Sequence, residues 1–129
     1  MPDRTVIHSP NAPKAIGPYS QAIRAGNLIF CAGQTPILPA TGDLIAGEIE
    51  AQTGQTLNNL KAVLEAAGTG LDKVVKTTVF MTNLGDFSRM NTVYAEFFPA
   101  NPPARSTVQV TALPKGAQVE IECIAIVGE

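Results

Sequence analysis

The chain has 129 residues and a formal net charge of −2 at pH 7, from nine basic and eleven acidic side chains. This length fits one domain over residues 1–129, and a chain of this size buries enough surface for a core without disulfides or metals. The basic residues are scattered along the chain, so nucleic-acid binding is not expected.

The start of the chain does not combine a basic segment, an apolar stretch and a small-residue cleavage site, and the longest fully apolar run covers only residues 28–32. We therefore expect a cytoplasmic protein without membrane contacts. Cys31 and Cys123 lie in strand-like apolar runs, where buried, reduced thiols are expected. His8 is the single histidine, which argues against a clustered metal site.

The first half of the chain predicts three short strands and one long helix. The strands cover residues 5–8, 20–25 and 28–32, with a hairpin turn at Gly26-Asn27, and a Pro- and Gly-rich loop covers residues 34–47. Residues 48–67 predict a helix that Gly68 ends, and we expect Gly54 to allow close packing against the sheet. The residues expected on the buried face of this helix recur every three or four positions: Ile49, Thr53, Leu57, Leu60 and Leu64.

The second half predicts a strand at residues 74–81, a helix that begins after Asp86, and two further strands. The apolar stripe of that helix is Phe87, Met90, Tyr94 and Phe97. Residues 105–111 and 119–127 are the last two strands, which pair most simply as an antiparallel hairpin across a turn at residues 113–117.

This order of elements predicts an α+β fold of two layers, with two helices on one face of a mixed sheet of about six strands. The other face also needs cover, because residues 121–127 are apolar on both sides. Association of subunits is the simplest cover.

Arg105 is a candidate binding residue because two prolines, Pro102 and Pro103, restrict the backbone just before it. A guanidinium held in one direction suits a carboxylate or phosphate bound through two hydrogen bonds. From spacing alone, a surface arginine or a structural ion pair is the more common explanation.

Glu120 and Glu122 share one face of the last strand, beside Ile124 and Ile126. A carboxyl near an apolar cleft has a raised pKa and can exchange protons with water. From the sequence alone, subunit salt bridges or protection of a strand edge are the more common explanation of such residues. Alternation does not choose between the two glutamates.

Three more residues are weaker candidates. Tyr19 follows a Gly-Pro loop and could line a pocket or cap the edge of the core. The amide of Gly33 could approach a ligand closely, although a simple strand exit is more common. Asn91 lies off the apolar stripe of the second helix, where an exposed asparagine is the default expectation.

Taken together, the segments resemble the RidA family, also called the YjgF or endoribonuclease L-PSP family. The matching stretches run in order along nearly the whole chain: residues 15–22 (AIGPYSQA), 32–34 (AGQ), 75–80 (VKTTVF), 90–94 (MNTVY), 103–106 (PARS), 113–115 (LPK) and 119–122 (VEIE). This resemblance implies a chorismate-mutase-like subunit and a homotrimer with clefts between subunits.

The resemblance also implies an activity: hydrolysis of reactive 2-imino or enamine acids, such as 2-aminoacrylate and 2-aminocrotonate, to 2-keto acids and ammonia, without a cofactor or metal. Matched position by position, Arg105 is the carboxylate-binding arginine and Glu120 the residue that places or activates water. Tyr19, Gly33, Asn91 and the backbone at Thr107 match positions that line the cleft.

Two positions depart from the pattern of many relatives, which carry Cys in place of Thr107 and Ser in place of Ala32. A thiol and one pocket hydroxyl are therefore absent from this chain. Two other functions stay open at this point: a small-carboxylate-binding or chaperone-like module without catalysis, and an RNA-cleaving translation inhibitor.

Overall fold

A computed structural model describes residues 3–128 and arranges six strands in one mixed sheet. The strands are β1 (Arg4–Ile7), β2 (Ala22–Ala25), β3 (Leu28–Gln34), β4 (Val74–Met81), β5 (Ala104–Gln109) and β6 (Val119–Ile126). Two helices, α1 (Ile49–Ala66) and α2 (Phe87–Phe97), cover one face of the sheet. The α+β prediction of two helices on one face of a six-stranded mixed sheet is confirmed.

Helix α1 provides most of the apolar surface that contacts the sheet. All five residues of the predicted face are buried: Ile49, Thr53, Leu57, Leu60 and Leu64. Gly68 follows the helix with a positive φ of 83°, a conformation that glycine adopts without steric cost. The role expected for Gly54 is wrong, because a Cβ there would face Val93 of helix α2 rather than the sheet.

The strand order is β1-β2-β3-β6-β4-β5, which confirms the β2–β3 hairpin but not the predicted β5–β6 hairpin. Strand β6 instead lies between β3 and β4 and pairs antiparallel with both. Its residues on the helix side, Val119, Ile121 and Ala125, are fully buried, so a central position suits this strand. Strand β5 pairs in parallel with β4 at the edge, because helix α2 carries the chain back across the sheet.

The sheet face opposite the helices, here called the open face, exposes large apolar side chains. Leu28 and Ile126 are paired across β3 and β6 and are 38% and 44% exposed. Phe30 and Val108 are 42% and 43% exposed. Apolar side chains clustered on one side of a sheet are typical of a surface that contacts another chain.

Cys31 and Cys123 are cross-strand neighbours in β3 and β6. Both are buried and neither forms a disulfide, as the sequence predicts. The hydrogen bond with the neighbouring Cys31 thiol, and secondly burial, raise the pKa of Cys123, so this thiol stays protonated.

Candidate active site

Arg105 lies near the start of β5 and packs against helix α2. Its Nη1 atom donates a hydrogen bond of 2.8 Å to Oδ1 of Asn91. Its Cζ atom lies 4.8 Å from the ring centre of Tyr94 and 5.4 Å from that of Phe87. One face of α2 supplies all three groups, since positions 87, 91 and 94 are spaced by four and three residues.

Arg105 is half-buried, and no carboxylate forms an ion pair with it among residues 3–128. Its Nε and Nη2 atoms have no acceptor in that part of the chain. The structural ion pair considered from the sequence is therefore not what holds this side chain. A guanidinium with one free edge can bind a carboxylate from outside the chain through two hydrogen bonds.

Asn91 is half-buried and holds Arg105, so the default expectation of an exposed helix asparagine is wrong. The exposed arginine of the same helix, Arg89, differs in its environment. Arg89 forms ion pairs with Glu48, Glu50 and Asp86. Only Arg105 of these two arginines has a free edge in the described structure.

Glu120 lies on β6 between two fully buried residues, Val119 and Ile121, so alternation directs its side chain to the open face. It covers Gly33 of β3: a Cβ on residue 33 would overlap Oε2 of Glu120 and lie 2.8 Å from its Cδ. A side chain at position 33 would therefore displace the Glu120 carboxyl group from this place.

The pKa of Glu120 is raised above 4.5, mainly because burial disfavours the charged form and secondly because Glu122 carries the same charge. A carboxyl with a raised pKa can accept and return a proton closer to neutral pH. The two glutamates share one face, as alternation requires, but Glu122 is exposed. The structure distinguishes them by this burial.

A cavity of about 530 Å³ lies beside Glu120. Tyr19, Gly33 and Glu120 line it, together with Ala32 and the two lysines Lys14 and Lys115. The sequence predicted Tyr19 and Gly33 as lining residues of the same cleft as Glu120, and the structure brings these three together.

The loop that carries Tyr19 is held by Gln21, which the sequence did not single out. Oε1 of Gln21 accepts a hydrogen bond of 2.6 Å from the Ser9 amide, and its Nε2 donates to the carbonyl of Pro13 at 2.9 Å. Gln21 is buried, so both ends of its amide are satisfied by backbone groups. A polar residue directly before the apolar start of β2 was the sequence feature that could have identified Gln21.

Arg105 and Asn91 do not lie in the cavity of Glu120. Arg105 is the register partner of Thr77 on β4, and Thr77 faces the helices, whereas Glu120 faces the open side. The candidate residues thus form two groups on opposite faces of one sheet: Arg105 and Asn91 on one, and Tyr19, Gly33 and Glu120 on the other.

Thr107 belongs to the group of Arg105, two residues along β5. Its side chain is half-buried, and its Oγ1 atom is buried without a hydrogen-bond partner in the described structure. Strand β5 pairs only with β4, so some of its backbone groups face outward at the sheet edge. These outward-facing backbone groups are available for contacts from outside the chain.

Phe87 and Tyr94 are contacts of Arg105 that sequence reasoning assigned only to the apolar stripe of α2. The spacing of these two aromatic residues around Asn91 could have predicted a shared site, because all three lie on one helix face.

Within residues 3–128, no three His, Cys, Asp or Glu side chains lie close enough together to hold a metal ion. In the same range, no helix combines the length and apolar character that a membrane crossing requires.

The sequence model of the family described as endoribonuclease L-PSP matches residues 9–127. A RutC family protein of Pyrococcus horikoshii is 55% identical over 122 residues, which cover 95% of this chain and 97% of that protein. The human 2-iminobutanoate/2-iminopropanoate deaminase is 44% identical over 125 residues, which cover 97% of this chain and 91% of that protein.

Two solved structures from E. coli share the fold. The yjgF gene product is 47% identical, with a TM-score of 0.91 over 95% of this chain and 98% of that chain. TdcF with bound serine is 42% identical, with a TM-score of 0.92 over 96% of this chain and 99% of that chain. Because the family match spans the candidate residues on both faces of the sheet, this chain belongs to the endoribonuclease L-PSP family, the group also called RidA/YjgF.

Proposed function

We propose that this protein is a hydrolase that converts 2-imino and enamine acids to 2-keto acids and ammonia. The observation that carries the proposal is the environment of Arg105, whose Nε and Nη2 atoms have no acceptor in the described structure while Asn91 and two rings hold the rest of the group. A carboxylate is the ligand that this free edge fits. The name of the human relative, an iminobutanoate and iminopropanoate deaminase, supports the same substrate class.

The chemistry asks for a bound carboxylate, a water molecule near the imine carbon, and one group that moves protons. Arg105 would orient the substrate through its carboxylate. Glu120 would take a proton from water as the oxygen attacks C2 of the protonated imine, which gives a neutral carbinolamine. Glu120 would then return that proton to nitrogen and take up the proton of the C2 hydroxyl group. The C–N bond breaks as the C2=O bond forms, and ammonia and the 2-keto acid are released. An enamine substrate first takes a proton at C3 to become the imine.

Orientation and one acid–base group are sufficient for such a reaction, because an imine is already electrophilic. The raised pKa of Glu120 suits both halves of its role, as base toward water and as acid toward nitrogen. Tyr19 and Gly33 would form the wall of the cleft, and the backbone at Thr107 would contact the substrate from β5.

The site we propose is completed by a second copy of the chain. Arg105 and Glu120 face opposite sides of one sheet, so one copy would supply Arg105, Asn91 and Thr107 while its neighbour supplies Tyr19, Gly33 and Glu120. The apolar open face supports association, and a closed ring of three copies, a homotrimer, would give three equivalent clefts.

A coupled assay tests the activity. Threonine dehydratase releases 2-aminocrotonate, and the added protein should speed the appearance of 2-oxobutanoate. Arg105→Ala should abolish this acceleration, whereas Arg89→Ala, which removes an exposed and ion-paired arginine, should retain it. An Arg105→Ala protein as active as its parent would contradict the proposal.

A further inference from the structure

A buried pair of hydroxyl groups lies behind Arg105. Oγ1 of Thr77 and Oη of Tyr94 are 2.7 Å apart, and both residues are almost fully buried. Thr77 is the register partner of Arg105 across β4 and β5, and the Tyr94 ring lies 4.8 Å from the Arg105 Cζ atom. The hydroxyl pair therefore connects strand β4 to the ring against which the guanidinium packs.

This hydrogen bond limits how the Tyr94 ring can turn. A distance of 2.7 Å is the usual length of an O–H···O hydrogen bond. The ring of Phe98 lies 4.7 Å away at an angle of 38° and supports Tyr94 from a neighbouring position. Burial raises the pKa of Tyr94 above 10.0, against smaller opposing effects of Thr77 and Arg105, so the phenol stays protonated at neutral pH.

Arg105 is then fixed by contacts of different kinds. Tyr94 and Phe87 contact the guanidinium through their rings, and Asn91 accepts from Nη1. Nε and Nη2, which are left without acceptors in the described structure, form one edge of the group with two parallel donors. The direction of that edge depends on the plane in which the Tyr94 ring holds the guanidinium.

We propose that Thr77 and Tyr94 are positioning residues for the carboxylate site: their hydrogen bond sets the plane of Arg105 and so aims its Nε–Nη2 edge at the substrate. The inference rests on the proposed function and deepens it. It assigns to the pair selectivity for a carboxylate over a neutral group of the same shape, since only a carboxylate uses both donors.

The test separates positioning from simple stabilisation by removing both hydroxyl groups together. Thr77→Val or Tyr94→Phe alone leaves one buried hydroxyl without a partner, and either single variant should unfold at a lower temperature than the parent. The double variant has no unpaired hydroxyl and should regain the parental thermal midpoint. The ring of residue 94 remains in every variant.

Binding is measured by calorimetry with 2-oxobutanoate and with the neutral 2-oxobutanamide. We expect the double variant to bind 2-oxobutanoate about tenfold more weakly at parental stability, with the affinity for the amide unchanged. Parental affinity for 2-oxobutanoate in the double variant would overturn the inference, as would an equal loss for both ligands.

A double-mutant cycle shows whether the pair acts through Arg105. In an Arg105→Ala background, adding Thr77→Val and Tyr94→Phe should cause no further loss of affinity, and a further tenfold loss would contradict the inference. Thr56→Val is the matched control, because Thr56 is buried on α1 and its hydroxyl has no partner within residues 3–128.

The two proposals fail separately. Calorimetry requires no turnover, so it reports on Thr77 and Tyr94 even if no imine is hydrolysed. An active parent with an inactive Arg105→Ala variant, but with parental binding in the double variant, would leave the proposed function intact and remove only the positioning role.

Discussion

Arg105 and Glu120 project from opposite faces of one sheet, Arg105 toward helix α2 and Glu120 toward the open face. If both act on one substrate, they must come from different copies of the chain. Two inactive variants, one at each residue, should then complement one another in a mixed assembly. We expect Arg105→Ala and Glu120→Gln, each inactive alone, to regain activity when they are mixed, unfolded and refolded together.

The size of the recovery follows from random assembly in a closed ring. A cleft is intact when Arg105 comes from the Glu120→Gln chain and Glu120 from the Arg105→Ala chain, which is about a quarter of all clefts in an equal mixture. The coupled dehydratase assay measures the recovery. The two variants refolded separately and then combined are the control, and no recovery after joint refolding would argue against a shared site.

Gly33→Ala should remove activity without unfolding the protein. A Cβ at this position overlaps the Glu120 side chain, which must then leave its place over β3. Because the proton-transfer group is displaced, we expect a fall in kcat/KM of about a hundredfold, within the usual contribution of general acid–base catalysis. Circular dichroism should remain parental. Parental kcat/KM in Gly33→Ala would show that the position of Glu120 is not critical.

Gly54→Ala should stabilise the protein and leave its activity unchanged. The new methyl group would lie 3.9 Å from Cγ1 of Val93, an ordinary contact between the two helices. Alanine also favours the helix by about 0.5–1 kcal/mol over glycine. Denaturant unfolding measures this gain, and the variant serves as the glycine-to-alanine control for Gly33. A loss of stability would mean that α1 and α2 pack too tightly for the methyl group.

The raised pKa of Glu120 has two consequences. Activity should require the charged form, so kcat/KM should rise with pH along a limb that lies above 4.5. Stability should change in the opposite direction: the folded state favours the protonated carboxyl, so its stability falls as pH rises from 4.5 through the folded pKa. Glu120→Gln cannot ionise and should lack this fall.

Carbon-13 NMR of the Glu120 carboxyl, titrated between acid and neutral pH, measures this pKa directly. Glu122→Gln should move it down, because the charge of Glu122 is the second cause of the shift. Glu122 is exposed, so that change should shrink as salt is added. A midpoint at or below 4.5 in the parent would contradict the expected burial effect.

The apolar open face predicts association that a single charge can disrupt. Phe30 is 42% exposed in one chain, and burial of this exposed part between copies would contribute about 1 kcal/mol. We expect Phe30→Asp to convert the assembly to monomers in sedimentation experiments and to lose activity as the shared clefts separate. Leu84→Asp is the control, since Leu84 is 40% exposed but lies outside the sheet, in the turn before α2. A Phe30→Asp protein that still associates would remove the open face as the interface.

Local features of this chain could be predicted because they depend on residues close in sequence. The period of α1, the strand at Val74–Met81 and the Gly26-Asn27 turn follow from side-chain spacing and backbone preference. The alternation of β6 placed Glu120 and Glu122 on one face, as the structure has them. The β5–β6 hairpin was predicted wrongly. Pairing strands that are neighbours in sequence costs the least loop entropy, but it would leave the apolar strand β6 with a hydrogen-bonded neighbour on one edge only.

For Arg105, the sequence by itself indicated what the side chain could bind but not which residues surround it. Its residue type and its two preceding prolines predicted a residue that could bind a carboxylate, and the family resemblance implied Glu120 as its partner. Only the tertiary structure showed that Phe87, Asn91 and Tyr94 hold the guanidinium, and that Arg105 and Glu120 face opposite sides. The reason is physical: residue periodicity sets the direction of a side chain within its own element, whereas strand order and helix packing decide what that side chain meets.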